Sequence, residues 1–228
     1  MSGKGVDAML MQTEREQVAA CGRRMCADRL SPGTSGNLSI FDPETGLMAI
    51  SPSGMEYGEI QPEDVVIADL EGHVRDGVRK PSSEYALHAA FYRKKPQIRA
   101  VVHTHSVYCA TFSVLGQPIR AVHYVIGDAG AAEVPCAPYH TFGSRELADA
   151  AVTACGAGNA VLLANHGLVT CGTSLKSAYS LAQNMEYVAE LQYRAMCVGT
   201  PQVLSGHEMA HVMDLFQTYG QPRPKKPD

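Results

Sequence analysis

Two short apolar runs, Ile98-Arg99-Ala100-Val101-Val102 and Ala160-Val161-Leu162-Leu163-Ala164, end on histidines: His103-Thr104-His105 follows the first, and Asn165-His166 the second. Each run has the length of a buried β-strand and hands over to side chains that can ligate a metal. Residues i and i+2 of a strand face the same side, so His103 and His105 can direct two imidazoles at one point. A third leg is then required, and His166 is the best placed to supply it. Gly167 behind it is expected to let the backbone turn sharply at the sheet edge. Three histidines with an open fourth position describe a catalytic zinc site rather than a structural one. One histidine closing a strand is usually a hydrogen-bonded structural residue, so the reading rests on the combination.

The chain has 228 residues, of which 45% are hydrophobic, enough for one globular domain with short terminal extensions. A formal net charge of −4 and the lack of a long basic run argue against nucleic acid or an anionic membrane as main partner. No stretch has the length of a signal-peptide core or a membrane span, which makes the cytoplasm the expected location. Seven cysteines without a C-x-x-C pair suit reduced, mostly buried thiols rather than disulfides or a thiolate zinc site.

Along the chain, residues 12–29 carry helical periodicity and stop at Ser31-Pro32-Gly33. Strand-like runs at 38–40 and 47–50 flank the turn Asp42-Pro43-Glu44-Thr45-Gly46, a hairpin signal, and residues 65–69 pair with a partner near Val74 across Glu71-Gly72. Ser82 or Ser83 caps a helix reaching Lys95, with Glu84 in its first turn. Strands at 98–103 and 160–164, and helices at 144–155, 175–197 and 206–219, complete the reading. Hairpins first, then mixed elements without a βαβ rhythm, imply a single α/β domain with a mostly antiparallel central sheet flanked by helices. Residues 221–228, rich in Pro and Lys, form a flexible tail.

Glu84 suits the helix dipole as an ordinary acidic residue, but its helix feeds directly into the strand that ends at His103. Beside a metal it is a candidate ligand, or a base for a proton next to a carbonyl. His88, one turn on, is the only other histidine worth watching as a ligand. Gly33-Thr34-Ser35-Gly36-Asn37, Ser51-Pro52-Ser53-Gly54 and Ser82-Ser83 each read as a loop or cap. Together they offer backbone N–H groups, hydroxyls and a helix N-terminus to a phosphate. G-x-x-x-x-G-K-[ST] is absent, which argues against nucleotide hydrolysis.

These loops, with Pro81-Ser82-Ser83-Glu84, Val102-His103-Thr104-His105-Ser106, His123-Tyr124, Ala137-Pro138-Tyr139-His140-Thr141-Phe142-Gly143 and Asn165-His166-Gly167-Leu168, occur in an order that resembles the class II aldolase and adducin family, closest to its L-fuculose-1-phosphate aldolase branch. The resemblance spans about residues 10–200 and implies a three-layer domain over residues 1–220. It implies one Zn²⁺ per subunit on His103, His105 and His166, with Glu84 as a resting ligand that swings away to act as acid/base. It puts substrate phosphate on Asn37, Ser53, Gly54, Ser82 and Ser83, with Thr34 and Gly36 shaping the loop. Tyr124 of a neighbouring subunit would handle the hydroxyl proton in a homotetramer with sites between subunits, and Tyr219 would close the site.

The implied reaction is reversible cleavage of a ketose 1-phosphate, L-fuculose 1-phosphate or similar, to dihydroxyacetone phosphate and a short aldehyde such as L-lactaldehyde, through a metal-stabilised enediolate. Ribulose-5-phosphate 4-epimerases share the histidines but carry aspartate where Glu84 stands and another aspartate in mid-chain, near which Asp128 lies. A sugar-phosphate dehydratase or decarboxylase of the same family could use the same groups. An adducin-head-like interaction module would have no reason to keep three histidines and Glu84 together.

Overall fold

The computed structural model describes residues 9–216 and 218; Tyr219 and the 221–228 tail lie outside them. Among the described residues, ten strands and six α-helices follow in the order α1 (Gln12–Ala27), β1 (Asn37–Asp42), β2 (Leu47–Ile50), β3 (Val66–Asp69), β4 (Val74–Asp76), α2 (Tyr85–Lys94), β5 (Ala100–Thr104), α3 (Val107–Leu115), β6 (Ile119–Arg120), β7 (Glu133–Val134), β8 (Cys136–Ala137), α4 (Arg145–Cys155), β9 (Ala160–Leu163), β10 (Gly167–Gly172), α5 (Leu175–Val198) and α6 (Gly206–Phe216). Eight strands form one sheet in the order β4-β3-β2-β1-β5-β10-β9-β8, and β6 pairs with β7 apart from it. Every pairing in the large sheet is antiparallel except β8 with β9. The expected mostly antiparallel sheet between helices is therefore the architecture found.

Alternation along the strands divides the core in two. Leu38, Ala49, Ile67, Val102, Leu162 and Leu168 face α1, α3 and α5. Met48, Ile50, Val66, Val101, Val161 and Val169 face α2 and α4. Both faces are covered, which explains why the central strands read as continuous apolar runs rather than as alternating ones. Arg15 of α1, 1% exposed, ties the first layer to the sheet through the carbonyls of Leu10, Pro62 and Val65 and an ion pair with Asp76 at 2.6 Å.

Several expected boundaries shift for local reasons. The first helix ends at Ala27, because Arg29 takes a left-handed φ of 58° and Leu30 N–H turns back to the Met25 carbonyl. Neither Ser82 nor Ser83 is the cap of α2; Glu84 occupies that position, and the Ser82 hydroxyl accepts from the Glu84 N–H at 3.2 Å. Gly167 does not make the sharp turn. Asn165 does, with φ 55°, while Gly167 opens β10, a strand the sequence reading did not separate from the histidine turn. Glycine is needed at 167 because a β-carbon would collide with the Thr104 carbonyl on the neighbouring strand. Helix α3, strands β6 to β8 and a 3₁₀ turn at Tyr124–Ala129 were also unforeseen. Three of the seven free cysteines are buried, whereas Cys26 and Cys197 are exposed. No described helix is long and apolar enough to cross a membrane.

Candidate metal and substrate site

Strand pairing creates the histidine cluster. His103 lies opposite Asn37 of β1 and Val169 of β10, at the centre of the sheet. His105 follows one residue past the end of β5, its N–H bonded to the Ser31 hydroxyl at 3.1 Å. His166 sits in the tight turn joining β9 to β10. There the Ser113 hydroxyl of α3 accepts from the His166 N–H at 2.9 Å, and the Ser113 carbonyl accepts from the Asn165 N–H at 3.0 Å. Glu186 of α5 holds α3 in place by accepting the Tyr108 and Cys109 N–H groups at its first turn.

The three Nε2 atoms meet on the α2 side of the sheet. Those of His103 and His105 are 2.9 Å apart, those of His103 and His166 3.3 Å, and the three ligand atoms lie within 4.8 Å of one another. His103 Nδ1 donates to the Leu168 carbonyl at 2.9 Å, which leaves the Nε2 lone pair aimed at the cluster. Burial, followed by repulsion from neighbouring rings, holds both His103 and His105 down at about 3, so both are neutral imidazoles at physiological pH. Glu84 completes the group: Oε2 is 3.3 Å from His103 Nε2 and Oε1 is 3.6 Å from His166 Nε2. Oε1 is buried with no hydrogen-bond partner. Three convergent imidazoles and a buried carboxylate oxygen without a hydrogen-bond partner fit a divalent cation.

A cavity of about 450 Å³ opens from this cluster. Its walls bring together all seven residues expected to hold phosphate, Thr34, Gly36, Asn37, Ser53, Gly54, Ser82 and Ser83, with Glu84, His105 and His166. Gly36, at φ 77°, lies so close to the His103 carbonyl and Ser31 that no side chain fits, and Gly54 is likewise left-handed at φ 69°. The side-chain amide of Asn37, however, is directed inward: Nδ2 donates to Glu84 Oε2 at 2.9 Å and Oδ1 faces His88 Nε2 at 2.5 Å. His88 is not among the clustered ligands, because Asn37 stands between it and the carboxylate.

Tyr139, His140 and Phe142 also line the cavity, and the sequence reading quoted their loop without giving it a role. The run of aromatic residues between Pro138 and Gly143 was the available signal. Gly143 explains the loop's position, since a β-carbon there would press on the Ser83 carbonyl. Tyr124 is elsewhere in the subunit, half exposed on the 3₁₀ turn beside His123 and Phe216 and outside the cavity lining. Asp128 lies on that same turn and accepts from Asn184.

A family model described as Class II Aldolase and Adducin N-terminal domain matches residues 16–193. A 5-deoxy-D-ribulose 1-phosphate aldolase of Bacillus thuringiensis is 48% identical over 213 residues, covering 93% of this chain and 100% of the relative. An L-fuculose phosphate aldolase of Escherichia coli K12 is 40% identical over 192 residues, 84% of this chain and 88% of the relative. A solved L-fuculose 1-phosphate aldolase superposes with a TM-score of 0.89 at 36% identity, covering 92% of this chain and 99% of that one.

Proposed function

Since the chain belongs to the class II aldolase and adducin family, we propose that it cleaves a short ketose 1-phosphate to dihydroxyacetone phosphate and an aldehyde. The observation that carries this reading is one cavity whose walls bring together His105 and His166 of the three-imidazole cluster, the half-anchored Glu84 carboxylate and the hydroxyl- and glycine-rich loops. No lysine or arginine is among the described residues lining it. A phosphate would therefore be held by Ser53, Ser82, Ser83 and Thr34, by backbone N–H groups, and by the N-terminal end of α2.

Zinc suits the three-histidine set best and, held by His103, His105 and His166 beside Glu84, would supply Lewis-acid stabilisation of negative charge on the ketose carbonyl oxygen. Phosphate binding fixes the sugar so that its C3 lies toward Glu84. As the C3–C4 bond breaks, its electron pair moves toward C2 and the C4 hydroxyl loses its proton. Glu84, after its unpaired Oε1 has taken up a proton from water in the substrate-bound site, delivers it to C3 as the enediolate collapses; the C4 hydroxyl releases one proton in exchange, so the cleavage balances and Glu84 ends as the carboxylate. Tyr124 of a neighbouring subunit, as phenolate or through a water that carries the proton to solvent, is our candidate to take the C4 hydroxyl proton, which accords with its exposure and its place outside the cavity lining of its own chain.

For the substrate, the full-length similarity to the Bacillus relative favours a 5-deoxy five-carbon ketose, 5-deoxyribulose 1-phosphate, with acetaldehyde as the second product. L-fuculose 1-phosphate, which gives L-lactaldehyde, is the second reading, supported by the Escherichia coli relative. Both sugars end in a methyl group, and the exposed rings of Tyr139 and Phe142 offer apolar surface for it.

The test is a coupled assay of dihydroxyacetone phosphate release from each sugar, with zinc-loaded protein and with the same protein after chelation. Chelator-sensitive release, with the higher kcat/KM on the five-carbon substrate, is the expected result. Preference for L-fuculose 1-phosphate would overturn the substrate assignment alone. No release from either would overturn the reaction.

A further inference from the structure

Behind Glu84 runs a chain of buried polar side chains that the proposed chemistry does not use. Asn37 and Ser39 lie two apart on β1, while Glu84, His88 and Tyr92 lie four apart along one face of α2. The two rows interlock. Glu84 Oε2 meets Asn37 Nδ2 at 2.9 Å, Asn37 Oδ1 meets His88 Nε2 at 2.5 Å, His88 Nδ1 meets Ser39 Oγ at 2.6 Å, and Ser39 Oγ meets Tyr92 OH at 2.6 Å. All five residues are buried, the most exposed being Glu84 at 6%.

The direction of every bond follows from the carboxylate. A carboxylate accepts only, so the Asn37 amide presents its NH₂ to Glu84 and its oxygen to His88. His88 must then donate from Nε2. Burial, reinforced by nearby His103, keeps this ring neutral, so Nδ1 is an acceptor and takes the Ser39 hydroxyl proton. Ser39 in turn accepts from Tyr92. An amide alone can lie in either of two orientations of nearly equal shape. The reversed one would turn its oxygen on the carboxylate and leave two acceptors face to face, so the amide keeps its NH₂ on Glu84 and its oxygen on the His88 ring N–H, which holds it there.

We infer that His88 is a positioning residue: through the Asn37 amide it anchors Glu84 Oε2 and so leaves Oε1 as the single oxygen free for proton transfer. This rests on the reading of Glu84 as the acid/base. It also assigns the Asn37 side chain to Glu84 rather than to substrate phosphate.

Three variants and one spectrum test it. His88→Phe, which keeps the bulk and removes both nitrogens, is expected to lower kcat by more than about tenfold with KM within about threefold. His88→Gln, which can donate to Asn37 and accept from Ser39, is expected to restore kcat to within a few-fold of wild type. Ser39→Ala removes the donor to Nδ1 and is expected to lower kcat several-fold, again without moving KM; it decides the matter should His88→Phe fail to fold. Wild-type kcat in folded His88→Phe or in Ser39→Ala would overturn the inference. So would Phe and Gln variants equally impaired, or a loss expressed in KM.

Independently of activity, ¹⁵N-histidine NMR of the metal-free protein, with the His88 signal assigned by its loss in His88→Gln, is expected to show protonated Nε2 and bare Nδ1. The opposite tautomer would sink the inference. Should the wild-type protein cleave neither sugar, the proposed reaction fails while this spectrum still decides the role of His88.

Discussion

Glu84 has unequal oxygens, and that inequality is what the site offers chemistry. Oε2 accepts from Asn37, while Oε1 is buried and unpartnered. An unsatisfied buried carboxylate oxygen costs stability, of order 1–3 kcal/mol, unless a cation or a proton meets it. Glu84→Gln keeps the shape and removes the proton transfer. It is expected to lower kcat by about 10² to 10⁴-fold, with zinc content by elemental analysis unchanged and a melting temperature no lower than wild type. Near-normal turnover would remove Glu84 as the acid/base. The meeting of the three histidines was legible because residue type and strand-end position coincide in their short motifs, and that of Glu84 because it opens the helix that leads into the first of those strands. The roles of Asn37 and His88 were not, because both depend on which strand and helix face each other, and spacing within one segment does not report that. Asn37 read as a phosphate contact on its loop, and His88 as a spare ligand on its helix; only the pairing of β1 with the face of α2 joins them.

Among the elements, those with their own turn chemistry were the most legible. Asp42 accepts from the Glu44 N–H and the Thr45 hydroxyl, so the β1–β2 hairpin announces itself in a few residues. The short strands β6 to β8 have two residues each, too few for any periodicity, and they form only because longer elements already frame them. The β3–β4 hairpin carries a pH dependence of its own. Burial pushes the Asp69 carboxyl up, but hydrogen bonds from the His73 N–H, the His73 ring and Arg75 outweigh it and leave the group at about 2, below the usual 3.8. Below about pH 4 the unfolded chain therefore takes up its proton before the folded one does. The stabilisation is complete above that pH and disappears as the pH falls toward 2. In urea titrations Asp69→Asn is expected to be less stable than wild type at pH 7, with the difference shrinking between pH 4 and 2. A constant difference across that range would exclude this ionisation as the cause.

At the scale of the whole molecule, exposed apolar and aromatic side chains bear on assembly. Val107 and Val114 of α3, Tyr187 and Tyr193 of α5, and Tyr124 on the 3₁₀ turn are all exposed. Such side chains would suit the homotetramer that the family resemblance implies, in which each cavity would receive Tyr124 from a neighbouring subunit. Tyr124→Phe is expected to lower kcat with little change in substrate affinity. Randomly mixed with Glu84→Gln subunits in equal amounts, it should recover up to about a quarter of wild-type activity, since one junction in four then pairs an intact Glu84 with an intact Tyr124. No recovery in oligomers shown by mass spectrometry to be mixed would argue against a shared site.

The histidine cluster joins rings 63 residues apart in sequence, from a mid-sheet strand and from the turn of a separate hairpin. Such a chelate has no local precursor, since β1, β5 and β10 must be in register before the rings can meet. The unfolded chain thus has little with which to capture an ion tightly, so a metal at this site would be taken up after folding instead of guiding it, and the newly folded chain would have to be charged with it afterwards.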